Sequence, residues 1–508
     1  MKKNRSSIGF FLLSFFFTGL FTNSLQAQTD FKLSDYKNPD YHWRALDFQL
    51  GLNGNNSYTK NTYDVDQTNK TYQNLFNSNL SADYYSVKNS VHYQGVQNIR
   101  FGFTAATSKY NTLHERTTDN ELTQKSRNSN LNLNAYLVNR FYNNSKRFFE
   151  VDLNFSSGLA SRYNKTETDP VTYNGNAYQV LRGGYNVSAI VPLLVGTGRI
   201  EEVQDARLAV YILEDLQKAG DLTKTPDKED ILAFAQFITK VKNQRFFDSR
   251  IRKIEEITAV DSFLMVRGLK AKSDASYYTL LNDNWDNSAG PVRSAGRRFS
   301  FGLEPGYVNV FDERKDYYLD TLNGLVNETN TKSSMLDNHL KLNVVASYVC
   351  EKPLNLYWQQ STRANLRYSL DNSNTITKYY EDGDLIDDTK EVISNPNLGL
   401  DISYSLAYYP NSRTSIRMNV FAKYIRFWED EKLNDNPNIK YDQDYINAHL
   451  SISCYYYFSP QLRLQLSVSE NYVNSSTLKK PTDGSGDEKY KLKNFSSNIY
   501  ASFIYSIF

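Results

Sequence analysis

Cysteine is almost absent from this chain. Cys350 and Cys454 are the only two in 508 residues, too few and too far apart for a disulfide scaffold. No Cys/His spacing suits a metal, so neither a metal nor another cofactor is expected. Neither sign of charge dominates: 58 Lys and Arg stand against 56 Asp and Glu, a formal charge of +2, which excludes the basic footprint of a nucleic-acid binder. Beyond the first residues no run of about 18 apolar residues exists, so helices that cross a membrane are excluded. Glycine forms no phosphate loop. Gly196-Thr197-Gly198 precedes a helical stretch but lacks the third glycine and the Rossmann context. Proline is scarce at 12 residues, whereas tyrosine is abundant at 39, a composition that suits β-structure.

The chain opens with an export signal. Lys2, Lys3 and Arg5 form a charged region, Ile8 to Phe21 an apolar one, and Leu25-Gln26-Ala27 a cleavage site. No cysteine lies near that site, which excludes lipoprotein processing. Beyond it, apolar residues recur at every second position. Leu46-Phe48-Leu50-Leu52 is one such run; Ile99-Phe101-Phe103, Phe149-Val151-Leu153-Phe155, Leu398-Leu400-Ile402-Tyr404 and Ile499-Ala501-Phe503-Tyr505 are others. About fourteen segments of this kind are long enough to cross a bilayer as tilted strands of roughly 9–11 residues. A soluble sandwich also alternates, but its strands run to about 5–6 residues and need not keep one parity free of charge. The fold expected is therefore an all-β transmembrane antiparallel β-barrel of about 14 strands with an inserted periplasmic α-helical domain.

Connections support that reading. Short turns near 90–96, 143–146, 351–353, 410–413 and 459–461 alternate with long polar loops near 58–72, 110–128, 163–177, 313–334, 372–394, 429–443 and 474–490. Outer-membrane barrels place short turns in the periplasm. One connection breaks the rule: residues 196–291, in the place of a short turn, read as helix. Val203, Ala206, Val210, Leu213 and Leu216 have helical spacing before Gly220. Thr225-Pro226 opens a second helix whose apolar face is Ile231, Phe234, Ala235, Ile238 and Val241, extendable to about Val266, and a short one lies near Ser273. The organisation expected is a signal peptide over 1–27, the first half of the barrel (about six strands) over 28–195, the periplasmic helical insertion over 196–291, and the second half (about eight strands) over 292–508.

The signal ending Leu25-Gln26-Ala27-Gln28, the alternating strands and the terminal Phe508 give the mature chain a resemblance to outer-membrane barrels of the Bacteroidota type. The segments Gly196-Thr197-Gly198-Arg199-Ile200-Glu201 and Asn243-Gln244-Arg245-Phe246-Phe247-Asp248 are similar to uncharacterised members of that group. The resemblance implies a fold and a location in the outer membrane, and no activity. Outer-membrane lipid and the barrel assembly machinery are the partners it implies, with a periplasmic protein as a further partner through 196–291. One departure stands out: Ser506 and Ser502 share the parity of Phe508, where the assembly signal of such barrels has apolar residues.

If the apolar parity faces lipid, the other faces the lumen. Its charged residues are Asp47, Asp83, Glu150 and Asp152 on early strands, against one Arg100, and Arg298, Lys341, Arg363, Arg367, Arg417, Lys423 and Arg463 on late ones, against Glu304 and Asp401. They predict an acidic wall facing a basic one, a field that orients dipolar solutes in a channel; the competing expectation is that the charges pair and merely stabilise the barrel. Tyr36, Tyr41, His42 and Trp43 precede the first strand as a plug or an aromatic girdle. The sequence thus points to a porin-like channel for a small polar solute. The alternatives are a structural or assembly protein that anchors a partner-binding helical domain, and an outer-membrane hydrolase built on His114 with Glu115 and Asp119 or on His449. No catalytic constellation recommends the last, and no enzyme is expected.

Overall fold

In the computed structural model the described residues are 31–508, apart from 65–66, 116–119, 171–174, 244–248, 287–291, 323–324, 412–413, 435–438, 459–461, 482–485 and 506–508. The signal region and Phe508 lie outside them. Among them, sixteen strands form one antiparallel sheet. Before the helices come β1 (Tyr41–Asp64), β2 (Gln67–Ser90), β3 (Tyr93–Glu115), β4 (Asn120–Tyr142), β5 (Arg147–Pro170), β6 (Gly175–Ile190) and β7 (Leu193–Glu202). After them come β8 (Ser294–Leu322), β9 (Leu325–Pro353), β10 (Trp358–Glu381), β11 (Asp384–Ser394), β12 (Asn397–Asn411), β13 (Thr414–Leu433), β14 (Ile439–Tyr457), β15 (Leu462–Pro481) and β16 (Glu488–Tyr505).

These sixteen strands occupy fourteen positions along the sheet. Both β6 and β7 pair β5 and β8, and both β11 and β12 pair β10 and β13. Each pair is one crossing interrupted by a proline, Pro192 or Pro396, which has no N–H to give to the ladder. Six positions precede the helices and eight follow. β1 and β16 are the two ends of the path, and no ladder joins them among the described residues.

The sheet is built inside out relative to a soluble protein. Leu46, Phe48, Leu50, Phe101, Phe301, Leu342 and Leu400 are exposed on its outer face. The contiguous buried apolar core among the described residues belongs instead to the helices and the segments that touch them. An apolar band of this extent needs a hydrocarbon solvent. The chain is a transmembrane β-barrel.

The strands are longer than the alternation foretold, and the loops correspondingly shorter. The stretches expected as long polar loops continue as ladders: Tyr58↔Tyr72, Lys60↔Lys70 and Asn61↔Asn69 extend β1–β2, and Arg314↔Ser333 lies far along β8–β9. Polar strands pair because the backbone bonds do not depend on side-chain polarity, and Thr, Tyr and Asn opposite their like pack well across strands. β8 has 29 residues, so at about 3.3 Å per residue it runs roughly 95 Å, far more than a bilayer crossing needs.

Four helices occupy the connection between β7 and β8: α1 (Gln204–Ala219), α2 (Lys228–Lys242), α3 (Ser249–Val266) and α4 (Ala275–Asp286). Three were expected. The second is divided, since α2 ends at Lys242 and α3 starts at Ser249. The strand pairing also extends to Glu202↔Ser294, so residues 196–202 are strand and not part of the helical insertion. α1 ends at Gly220 in the left-handed conformation (φ 75°). Asp227 and Asp230 form a capping box at the start of α2.

Candidate functional site: the barrel lumen and its helical cap

Cross-strand register orders the inner wall. The residues opposite one another from β1 to β9 include Asp47, Asp83, Arg100, Asn134, Ser156, Ser188, Val308 and His339 in one row. Part of this row lines a concave cavity of about 670 Å³ with Tyr85, Asn98, Tyr136 and Asn154 from the row beneath it. The polar wall follows directly from the alternation, because each of these residues has the parity opposite to the apolar band.

The predicted opposition of an acidic and a basic wall does not form. Charges are neutralised locally, mostly by the residue directly opposite. Asp83 takes a bidentate pair from Arg100 (3.2 Å for the longer contact). Glu150 pairs with Arg140 at 2.6 Å, both side chains nearly buried. Lys341 pairs with Asp371 at 3.0 Å and Lys423 with Asp401 at 4.0 Å. Arg363 reaches Glu351 at 3.3 Å, and Arg367 reaches Glu304 at 3.1 Å over Asn343, which also donates to Glu304. Arg417 donates to the Tyr409 hydroxyl at 3.1 Å. Asp47 stands opposite Asp83, and Arg463 opposite Ile504. Asp152 and Arg298 lie around the Arg140–Glu150 pair. Opposite charges a few ångströms apart leave little transverse field.

Arg140, Glu351 and Asp371 are the partners that sequence reasoning missed. Each lies just past the end of an alternating run, and carrying the parity a few residues further would have found them. His339 has the parity of the inner wall, opposite Val308. It sits between Asp337 (2.7 Å) and Asp371 (3.4 Å). His449 stands opposite Phe421 and Asn471 on the ladder. His114 and Glu115 end β3, but their side chains and Asp119 lie outside the described residues.

The helices lie at one end of this lumen, opposite the long extensions of the β1–β2 and β8–β9 ladders. Their core contains Ala206, Leu213, Leu216, Phe234, Ile238, Leu264, Leu281 and Trp285. Tyr36, expected as a plug or girdle residue, is buried in that core, where its hydroxyl shares a 2.6 Å hydrogen bond with Thr239. Thr239 in turn donates to Asp205, which pairs with Lys242 at 2.8 Å. The structure places Tyr41, His42 and Trp43 within β1.

The cap is seated at opposite sides of the mouth. On one side, Arg293 is completely buried. Its guanidinium donates to the carbonyls of Asn355 (2.8 Å), Leu356 and Trp358 (2.8 Å) and to Gln359 Oε1 (3.3 Å). Burial, then repulsion from Arg207, pulls its pKa down to about 10, so it stays charged at neutral pH. The Tyr409 ring of β12 receives both guanidinium groups, Arg207 at 5.3 Å and Arg293 at 5.5 Å, and Tyr211 donates to the Tyr409 carbonyl at 3.2 Å. On the other side, half of the sheet's path away, the neck formed by β7 and β8 grips the turn between β2 and β3. Arg199 donates there to Val91 O (2.8 Å) and Asn89 Oδ1 (3.0 Å), and Gln94 donates to Ile200 O (3.1 Å).

The neck bends at Gly198 (φ 95°) and Gly296 (φ 127°). A Cβ at either would lie 2.1 Å from a backbone oxygen of the paired strand, so only glycine fits. Within the neck, Glu201 accepts from Arg199 at 2.5 Å. Burial raises the Glu201 carboxyl above its usual pKa, against the opposing pull of Arg199. A carboxyl that holds its proton longer folded than unfolded costs stability as pH rises from the unfolded value of about 4.3 through the raised folded one. Glu201→Gln is therefore expected to flatten the pH dependence of thermal unfolding in that window and to raise the melting temperature slightly at neutral pH. An unchanged profile would exclude the neck as the source of that dependence.

No family model matches this chain, and no curated protein matches it. Solved structures similar to it include the translocator domain of the autotransporter NalP from Neisseria meningitidis, 9% identical, covering 84% of this chain and 93% of that one with a TM-score of 0.17. Another is a TodX deltaS2S3 mutant monoaromatic hydrocarbon channel, 10% identical, covering 92% of this chain and 91% of that one with a TM-score of 0.20. Superpositions this loose carry no argument about function, and the barrel assignment rests on the ladders.

Proposed function

We propose that this chain is an outer-membrane channel that passes or selects a small polar solute, with the helical cap on its periplasmic side. One observation carries the reading. The barrel turns its apolar side chains outward and lines its interior with amides, hydroxyls and locally paired charges. Such a wall solvates a polar solute without trapping an ion at a strong single-sign site. Outer-membrane barrels carry their long extensions on the outside, and this reading sets α1–α4 on the periplasmic side, opposite the long β1–β2 and β8–β9 ladders. The export signal supplies the route, with cleavage after Ala27 and assembly by the barrel machinery.

Reconstitution into planar bilayers tests this reading. Discrete conductance steps are expected, rare for the wild-type chain and frequent once the cap is loosened by Arg293→Ala. Persistent silence from both would sink it.

A second reading has its own observation. Ile254, Met265 and Val266 of α3 are exposed at 67%, 61% and 83%, an apolar surface on the cap that suits a periplasmic protein partner. In that reading the barrel also anchors a docking platform.

A further inference from the structure

The channel reading leaves four aromatic side chains of the inner wall without a role. Tyr85 and Tyr136 lie in one cross-strand row, flanking Asn98. Trp43 is in the next row towards the cap, opposite Val87, and Tyr41 in the one after, opposite Asn89. Successive rows are about 7 Å apart along the strand. These residues are not a lipid-facing girdle: Tyr41 and Trp43 share the parity of Asp47, not that of Leu46 and Phe48.

Two of these rings are open to the lumen. Tyr136 is 49% exposed and Tyr85 is 36% exposed, both within the 670 Å³ lumen cavity. Tyr85, Trp43 and Tyr41 then line a second cavity of about 330 Å³, between the barrel wall and the cap, where Glu202, Asp205 and Lys242 complete it. Trp43 and Tyr85 meet edge to face at 5.3 Å, so the two cavities share one continuous aromatic edge.

The polar groups beside this track decide the ligand class. Asp83 is paired with Arg100 and Asp205 with Lys242, while Asp47 and Glu202 add carboxylate acceptors, so this edge offers no excess positive charge to an anionic solute. Asn98, Asn134 and Asn154 offer amides, Ser156 and Ser188 hydroxyls, and Asp47 a carboxylate. Aromatic planes with amides, hydroxyls and carboxylate acceptors along one edge match a ring that is apolar on its face and hydroxylated on its rim. Several rows in succession match several rings. We propose that Tyr136, Tyr85, Trp43 and Tyr41 form a sliding track that binds a neutral oligosaccharide and guides it between the lumen and the space under the cap. The proposal rests on the channel reading and names its solute.

Calorimetric titration of the full chain in detergent with maltohexaose, cellohexaose and xylohexaose tests it. Saturable binding of at least one is expected. Trp43→Ala and Tyr85→Ala should each weaken it about tenfold, the loss of one stacked ring. Trp43→Phe and Tyr85→Phe, which keep the planes, should restore most of it, and heat-modifiable migration of each variant would show that the barrel has folded. Absence of binding by all three sugars, or binding indifferent to both alanines, overturns the track. A barrel that conducts but binds no sugar loses the track and keeps the channel. One that binds sugar in the predicted pattern but never conducts keeps the track and loses the channel.

Discussion

Arg293→Ala should unseat the helical cap and raise the open probability of the reconstituted barrel on the order of a hundredfold. The wild-type guanidinium is wholly buried and fans out to three backbone carbonyls and the Gln359 side chain. Alanine leaves those acceptors dry and unpaired and strips one of the two cations from the Tyr409 ring. Losing hydrogen bonds to a charged group in such a place costs about 3–5 kcal/mol. If the cap swings on its glycine neck, most of that cost falls on the closed state alone. Arg293→Lys should fail to rescue, because an ammonium cannot span the same set of acceptors. Single-channel recording gives the open probability, and trypsin cleavage within α1–α4 in detergent gives an independent measure of release. Unchanged open probability together with unchanged protection would show that Arg293 does not hold the cap.

Glu150→Ala should be the most damaging single change in the barrel wall, costing about 3–5 kcal/mol of stability. Glu150 and Arg140 are nearly buried, and Arg298 lies beside them. Removing the carboxylate leaves two guanidinium groups close together with Asp152 as the remaining nearby anion. The double replacement Arg140→Met/Glu150→Leu should recover most of the loss, since two apolar side chains of similar volume need no partner. The urea midpoint of the folded, heat-modifiable band measures both. Equal stability of wild type and Glu150→Ala would mean that water reaches the pair and screens it.

Much of this architecture is legible in the chain. A two-residue period with charge confined to one parity is a consequence of lipid on one side and water on the other, so Leu398-Leu400-Ile402 announces a crossing without any structure. The fourteen positions and the place of the helices follow from it. What the period does not encode is where a polar strand stops. Beyond the bilayer both faces of β1 and β2 meet water, the alternation fades, and Tyr58 to Tyr72 looks like loop although its backbone pairs throughout. The charges share one parity along the chain, but their pairing depends on register, which sequence alone does not supply. The cap's seat was hidden for another reason. Arg293 stands alone between Pro291 and Ser294 in a segment with no period, and its partners are more than 60 residues away.

The buried position of Tyr36 also sets an order of events. Leu33 and Tyr36 belong to the same core as Phe234 and Ile238, and the Tyr36 contact to Thr239 spans 203 residues of chain. The helices therefore lack part of their core until the segment just before β1 reaches them, and contacts so distant in sequence form slowly. Because that segment runs directly into β1, the helical core is completed only when the first strand stands beside the neck of β7 and β8. Completion of the cap is thereby tied to assembly of the wall.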